Sequence, residues 1–198
     1  MGFAHWYLAT HINQLANYDI ELDQSRYCQS IVWKYLDTAG TKKVLTVHTT
    51  PLPSNFIPSV ADCSIDEASS KQLATEYNIN YASCVGSLIY LGMTRVDIVF
   101  AVNKLAKFTH KPGRLHFEAM IHLLRYLRDH SHVGVRFYSD YLNAPMTKAL
   151  IAENISITQP FFGFSDSSWN DDVDHGRGSR PQLKSSRTSC PFLRQSGV

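Results

Sequence analysis

Between residues 80 and 128 the chain carries three successive segments whose apolar residues recur at helical spacing, and this run limits the folds open to it more than any other feature. The first, over roughly 80–93, holds Gly86 in its interior. A glycine there costs about 0.5–1 kcal/mol relative to alanine. Its presence points to a close approach, either by another backbone in a tightly packed neighbour or by a ligand that a side chain would block. The second segment, 95–109, presents Val99, Val102 and Leu105 with Ala106. The third, 114–128, presents Phe117, Met120, Leu123, Leu124 and Leu127, again at core spacing. Pro112-Gly113 supplies the turn between them, so the pair is predicted to pack antiparallel.

The flanks change period. Residues 6–23 read as a β-hairpin: Trp6 to Ile12 is rich in aromatic and β-branched residues, Ala16 to Asp19 carries turn chemistry, and Ile20 and Leu22 alternate with Glu21 and Asp23. Ser25 is a plausible N-cap for a helix through Leu36. Residues 37–79, with Gly40, Pro51, Pro53 and Pro58, describe an irregular connector and subdomain boundary, broken by a short helix around Asp66–Glu76. After Ser131, Val133, Val135 and Phe137 alternate as a strand, a loose segment runs from Pro145 to Pro160, and Phe161–Phe164 enters as a second strand. From His175 onward neither periodicity nor a core is visible, and the tail 175–198 is predicted to be disordered. The fold class is α+β, organised as 1–36, 37–79, a helical bundle at 80–130, a partial sheet at 131–174 and the tail. That partial sheet would expose its edges, an aggregation hazard that truncation near Ser131 would remove.

Composition excludes several classes. With 198 residues, 44% of them apolar, the chain can bury a core, and no apolar run approaches the roughly 20 residues a membrane helix needs. The N-terminus lacks the basic and apolar regions of a secretory signal, so an intracellular setting is expected rather than secretion. Cys28, Cys63, Cys84 and Cys190 form no metal-binding or disulfide spacing, and the nine histidines read as ordinary surface or core residues. Net charge is only +2, but residues 95–136 hold Arg95, Lys104, Lys107, Lys111, Arg114, Arg125, Arg128 and Arg136 against Asp97, Glu118 and Asp129. Such a cluster is either a solvated helix face or a salt-sensitive contact with phosphate.

Four blocks in order resemble the Pol polyprotein of copia-type LTR retrotransposons, over about residues 1–174. These are Gly2-Phe3-Ala4-His5-Trp6-Tyr7-Leu8 with Ile20-Glu21-Leu22-Asp23-Gln24 and Tyr27; Thr50-Pro51-Leu52; Val85-Gly86-Ser87-Leu88-Ile89-Tyr90-Leu91 with Thr94-Arg95-Val96-Asp97-Ile98 and Ala101-Val102-Asn103-Lys104-Leu105; and Gly163-Phe164-Ser165-Asp166-Ser167-Ser168-Trp169. The resemblance implies the C-terminal part of a reverse transcriptase followed by the start of a ribonuclease H, set in a cytoplasmic particle or the nucleus. Residues 6–23 would be the primer-grip hairpin, with Tyr7 and Leu8 towards nucleic acid, and 80–128 the thumb. The thumb's first helix would track the minor groove of an RNA–DNA or DNA duplex through Ala82, Gly86 and Tyr90, which lie four residues apart on one stripe. Lys104, Lys107, Lys111 and Arg114 would contact phosphates without reading sequence.

Departures from the family pattern are informative. Proline usually stands where this chain has Val96, and the Tyr-x-Asp-Asp of the polymerase site is absent, as in a chain that begins after it. Without those carboxylates no polymerisation by this chain alone is expected. The resemblance implies magnesium in the intact family, and tight metal binding is not expected here. Asp166 resembles the first metal-binding aspartate of ribonuclease H, orphaned because the later acidic elements give way to the basic tail, which reads as out-of-frame or degenerate sequence. Asp171, Asp172 and Asp174 read as a solvated acidic turn. The partners expected are a template-primer duplex and the remainder of the Pol polyprotein. A stand-alone duplex-binding module and a non-functional transposon relic are the alternatives.

Overall fold

A computed structural model of the chain describes residues 5–37 and 47–155. Its N-terminal part is a four-stranded antiparallel sheet in the order β1-β2-β3-β4. The expected hairpin is present with one more reversal than the sequence suggests. Trp6 to Ile12 is not a single strand: β1 (Trp6–Tyr7) turns back through Leu8 and Ala9 into β2 (Thr10–Gln14). Leu8 and Ala9 hold φ of 45° and 60°, the left-handed pair that a two-residue hairpin needs to match strand twist. Neither residue type favours that region, so nothing in the composition of the tip announces the turn. The second turn falls where expected, with Tyr18 N–H donating to Leu15 O at 2.9 Å, and β3 (Ile20–Asp23) pairs His11 with Asp23 and Gln14 with Ile20.

β4 (Val135–Phe137) completes this sheet. The sequence places it with Phe161–Phe164 at the start of a later sheet; instead it pairs with β3, Leu22 opposite Val135 and Ile20 opposite Phe137. Two features hold it there. A side chain at Gly134 would put its Cβ 2.5 Å from Leu22 O, so only glycine lets the chain come so close. Arg136 reaches back to buried Asp19 at 2.8 Å and to Glu21 at 3.3 Å.

The helices follow the apolar period closely. α1 (Ser25–Val32) continues as a π turn through Asp37, and its N-cap is Gln24 rather than Ser25, whose N–H donates to Asp23 Oδ1 at 3.0 Å. α2 (Glu67–Glu76) is capped by Asp66, which accepts from Ser69 N–H at 2.7 Å. α3 (Tyr81–Leu91) is capped by Asn80, accepting from Ser83 N–H at 2.9 Å. The segment expected as one helix over 95–109 opens as a single 3₁₀ turn, Val96–Ile98, before α4 (Val99–Ala106). α5 (Arg114–Asp129) follows the Pro112-Gly113 turn. Cys28 and Ile31 of α1, Leu88 and Leu91 of α3, Leu105 of α4, and Phe117, Leu124 and Leu127 of α5 meet in one buried cluster. Burial of each large side chain contributes about 1.5–3 kcal/mol.

The described part of the expected connector packs onto this bundle. Ser64 Oγ donates to Pro112 O at 2.8 Å, His122 meets Thr50 O at 2.9 Å, and Leu52, Phe56 and Leu73 lie against the core. Chain contacts divide the protein into two units, Met1–Phe137 and Tyr138–Val198. Within the second unit, a 3₁₀ turn at Tyr141–Asn143 leads into α6 (Pro145–Ala152), where the sequence suggests a loose segment. Pro145 occupies the first helical turn, where its missing N–H costs nothing. The strand expected at Phe161–Phe164, Asp166 and the tail 175–198 lie outside the described residues. The described residues thus form six α-helices and one antiparallel sheet, an α+β arrangement.

Candidate nucleic-acid interface

Asn80 starts α3 so that its buried side carries Cys84, Val85, Leu88 and Leu91, which turns Ala82, Ser83 and Gly86 outward. Among the described residues no atom lies within 4 Å of the position a Gly86 Cβ would take. Among the described residues, then, no neighbouring backbone uses the space at this glycine. The tight approaches belong to Gly113 and Gly134, where a Cβ would stand 1.9 Å from Asp62 O and 2.5 Å from Leu22 O.

Tyr90, two turns beyond Ala82 on the same face, joins α3 to the sheet. Its hydroxyl donates to the carbonyl of Leu8 at the hairpin tip, and its ring stands edge-on to Tyr27 at 5.3 Å. The tip itself is open, with Tyr7 66% and Leu8 62% exposed. Five residues picked from the sequence, Tyr7, Leu8, Ala82, Gly86 and Tyr90, are thereby brought into one continuous region. At the other end of the stripe, Tyr35 from the π turn after α1 meets Ser83 Oγ at 2.8 Å. Sequence reasoning missed that contact because it spans 48 residues and neither segment carries a motif for it.

The basic residues separate. Arg95 is 1% exposed and is not a surface cation: it grips Asp97 at 2.7 Å and donates to His130 O at 2.7 Å. Arg128 pairs with Asp129 and Arg136 with Asp19. Arg114 forks onto both carboxylate oxygens of Glu76 at 2.8 Å, which holds its guanidinium above the usual range and Glu76 below it. Lys111 lies near Asp66 and Glu67, lowering both carboxyls after their stronger hydrogen bonds from Ser69 and Lys71. Lys111 and Arg114 thus face the acids of α2, which the sequence reads as part of a connector, and are not joined to the Gly86 stripe. Lys107 is exposed on the turn after α4, and the Lys104 ammonium stands 5.4 Å from the centre of the Phe100 ring.

Magnesium chemistry needs converging carboxylates. Among the described residues no group of three or more His, Cys, Asp or Glu side chains stands together to hold a metal ion. Asp97 is bound by Arg95 and Tyr126, and Asp166 lies outside the described residues. No helix of the described residues is long and apolar enough to cross a membrane.

Over 170 residues, 86% of this chain, the sequence is 29% identical to the retrovirus-related Pol polyprotein from transposon RE1 of Arabidopsis thaliana. It is 32% identical over 108 residues to the corresponding polyprotein from transposon TNT 1-94 of Nicotiana tabacum. Over most of its length the chain is thus similar to retrovirus-related Pol polyproteins of plant transposons. The chain spans 10% of the RE1 polyprotein and 8% of the TNT 1-94 polyprotein. It is also 31% identical over 114 residues to the secreted RxLR effector protein 161 of Plasmopara viticola, covering 69% of that much shorter protein. No family model and no solved structure matches the chain.

Proposed function

We propose that this chain is the part of a retrotransposon reverse transcriptase that holds the template-primer duplex, without the carboxylates that polymerise. The observation that carries the reading is Gly86: a helix-interior glycine, exposed, with no atom of the described residues near its missing side chain. The penalty for glycine in a helix is retained without a packing return, which is expected where an external partner comes close to the backbone. Tyr90 supports it by fixing the hairpin tip beside the same face. A duplex laid along α3 would meet bare backbone at Gly86, the Tyr90 ring beyond it, and Tyr7 and Leu8 at the tip. Lys104 and Lys107 would add phosphate contacts that position without reading sequence.

The reading assigns RNA–DNA hybrid or DNA duplex as partner and the rest of Pol as the source of catalysis, in a cytoplasmic particle or the nucleus. Asp166 keeps the role the resemblance gives it, one carboxylate of a nuclease site completed by other segments. Magnesium would belong to that completed site.

Titration with an RNA–DNA hybrid and a DNA duplex of unrelated sequences tests the proposal. Three or four neutralised phosphates predict that affinity falls about 40- to 150-fold between 50 and 200 mM salt. Both duplexes should bind alike whatever their sequence, and Gly86→Leu should weaken binding at least tenfold at unchanged helicity. Absent binding, or binding indifferent to salt and to Gly86→Leu, overturns the reading.

A further inference from the structure

Lys34 and Tyr35 lie on the π turn that continues α1, and the proposed duplex contacts use neither. The Tyr35 ring is buried at 4% exposure, and its hydroxyl meets Ser83 Oγ at 2.8 Å. The Lys34 ammonium stands over the same ring, 4.7 Å from its centre. Burial pushes the Tyr35 phenol up, but hydrogen bonds with Ser83, Lys34 and Ser87 outweigh it and hold the phenol below its ordinary value. The bond to Tyr35 in turn raises Lys34.

An ammonium has only donors, so Lys34 donates to Tyr35 Oη, and Tyr35 Oη shares a second hydrogen bond with Ser83 Oγ in which either hydroxyl can be the donor. Each bond polarises the next. The seam geometry aims the result at one place. Tyr27 meets Tyr90 and Tyr35 meets Ser83, so α1 and α3 run antiparallel with Gly86 and Ser87 between the two contacts. Ser83 and Gly86 are three residues apart on one exposed face. A cation and a hydroxyl from two different elements thus flank the open strip at Gly86.

We propose that Lys34 and Ser83, held in place by Tyr35, form a binding site for a phosphate of the duplex strand that crosses Gly86. This rests on the duplex-holding function proposed above and names the strand contact within it. An ammonium supplies the charge that releases a counterion, and the hydroxyl fixes the register of the phosphate beside it.

The 198-residue protein and four variants, titrated with a DNA duplex across a salt series, test the site. Lys34→Gln should shrink the slope of log affinity against log salt by about 0.9 in magnitude, the loss of one phosphate contact. Ser83→Ala and Tyr35→Phe should weaken binding two- to fivefold with the slope retained. Lys71→Gln, which removes a cation paired with Glu67 on α2, should leave both quantities unchanged. Thermal melts of each variant confirm that the fold is intact, as expected for the exposed Lys34. If the unaltered protein binds with steep salt dependence and Lys34→Gln shows the same slope, the phosphate site is overturned and duplex holding stands. If Lys71→Gln lowers the slope as much as Lys34→Gln, the effect is general charge loss and the site is again overturned. If the unaltered protein does not bind, both readings fall together.

Discussion

A methyl group added at Gly86 meets no atom of the described residues within 4 Å, whereas at Gly113 it would stand 1.9 Å from the carbonyl oxygen of Asp62. The same substitution therefore acts in opposite directions. Gly86→Ala relieves the entropic penalty of glycine in a helix and should stabilise the protein by about 0.5–1 kcal/mol. Gly113→Ala forces the turn away from Asp62 and should destabilise by about 1–3 kcal/mol, the usual range for overpacking. Urea denaturation of the two variants measures both. A neutral or destabilising Gly86→Ala would mean that the space beside α3 is occupied in solution. Both positions read as glycines that need a reason. At Gly86 the sequence leaves open whether a backbone or a ligand is the reason, whereas a Pro-Gly turn already accounts for Gly113 and hides the backbone pressed against it.

Elements in this protein are tied by one buried charge. Arg95, just before the 3₁₀ turn that leads into α4, grips Asp97, donates to His130 O at the end of α5, and lies 3.9 Å from Cys28 of α1. Tyr126 of α5 donates to the same Asp97 carboxylate at 2.9 Å. Burial raises the Asp97 carboxyl, but the hydrogen bonds from Arg95 and Tyr126 outweigh it and lower it overall. A carboxyl depressed in the folded state adds stability above its unfolded value near 3.9, and that stability is lost as pH falls towards the folded value. Asp97→Asn strands the Arg95 guanidinium and should cost about 3 kcal/mol at pH 7, the low end for breaking a buried pair. The difference from the unaltered protein should hold down to about pH 5 and shrink below pH 4. Denaturation midpoints at pH 7, 5 and 3.5 check it; a cost independent of pH would assign the loss to packing instead. At this scale the sequence is legible where one period repeats, as in α3 and α5, and illegible where an element is defined by a distant partner. Nothing near Arg136 reveals Asp19, 117 residues away. Nothing in Lys111 or Arg114 reveals the acids of α2, so a basic cluster in sequence becomes several unrelated ion pairs in space. The site divides likewise: the Gly86 stripe lies within one helix and can be read, while the Lys34–Tyr35–Ser83 contact joins two and cannot.

For the whole molecule, the pairing of β4 with β3 fixes where the chain can be cut. The first unit ends at Phe137, so its last strand comes from beyond α5. Ending the chain at Ser131 removes β4, bares the edge formed by Ile20–Asp23, and takes Arg136 from Asp19, which is only 3% exposed. Asp19 keeps its bond from Asn17 Nδ2 at 3.0 Å, so the loss falls near the low end for a stranded buried charge, about 3 kcal/mol. Against a total stability of about 5–15 kcal/mol, that shifts the urea midpoint down by roughly 1–2 M. The bared strand adds an aggregation hazard. A fragment ending at Ser139 keeps β4 and its ion pair and should unfold cooperatively, with hydrogen-exchange protection of β3 equal to that in the full chain. Truncation near Ser131, which the sequence suggests as a cure for insolubility, is thus expected to worsen it. Equal midpoints and equal solubility for the Ser131 and Ser139 fragments would show that β4 contributes nothing to the unit it joins. The Ser139 fragment is also the smaller protein on which to measure duplex binding, because Gly86, Tyr90, Leu8 and the Lys34 seam all lie within it.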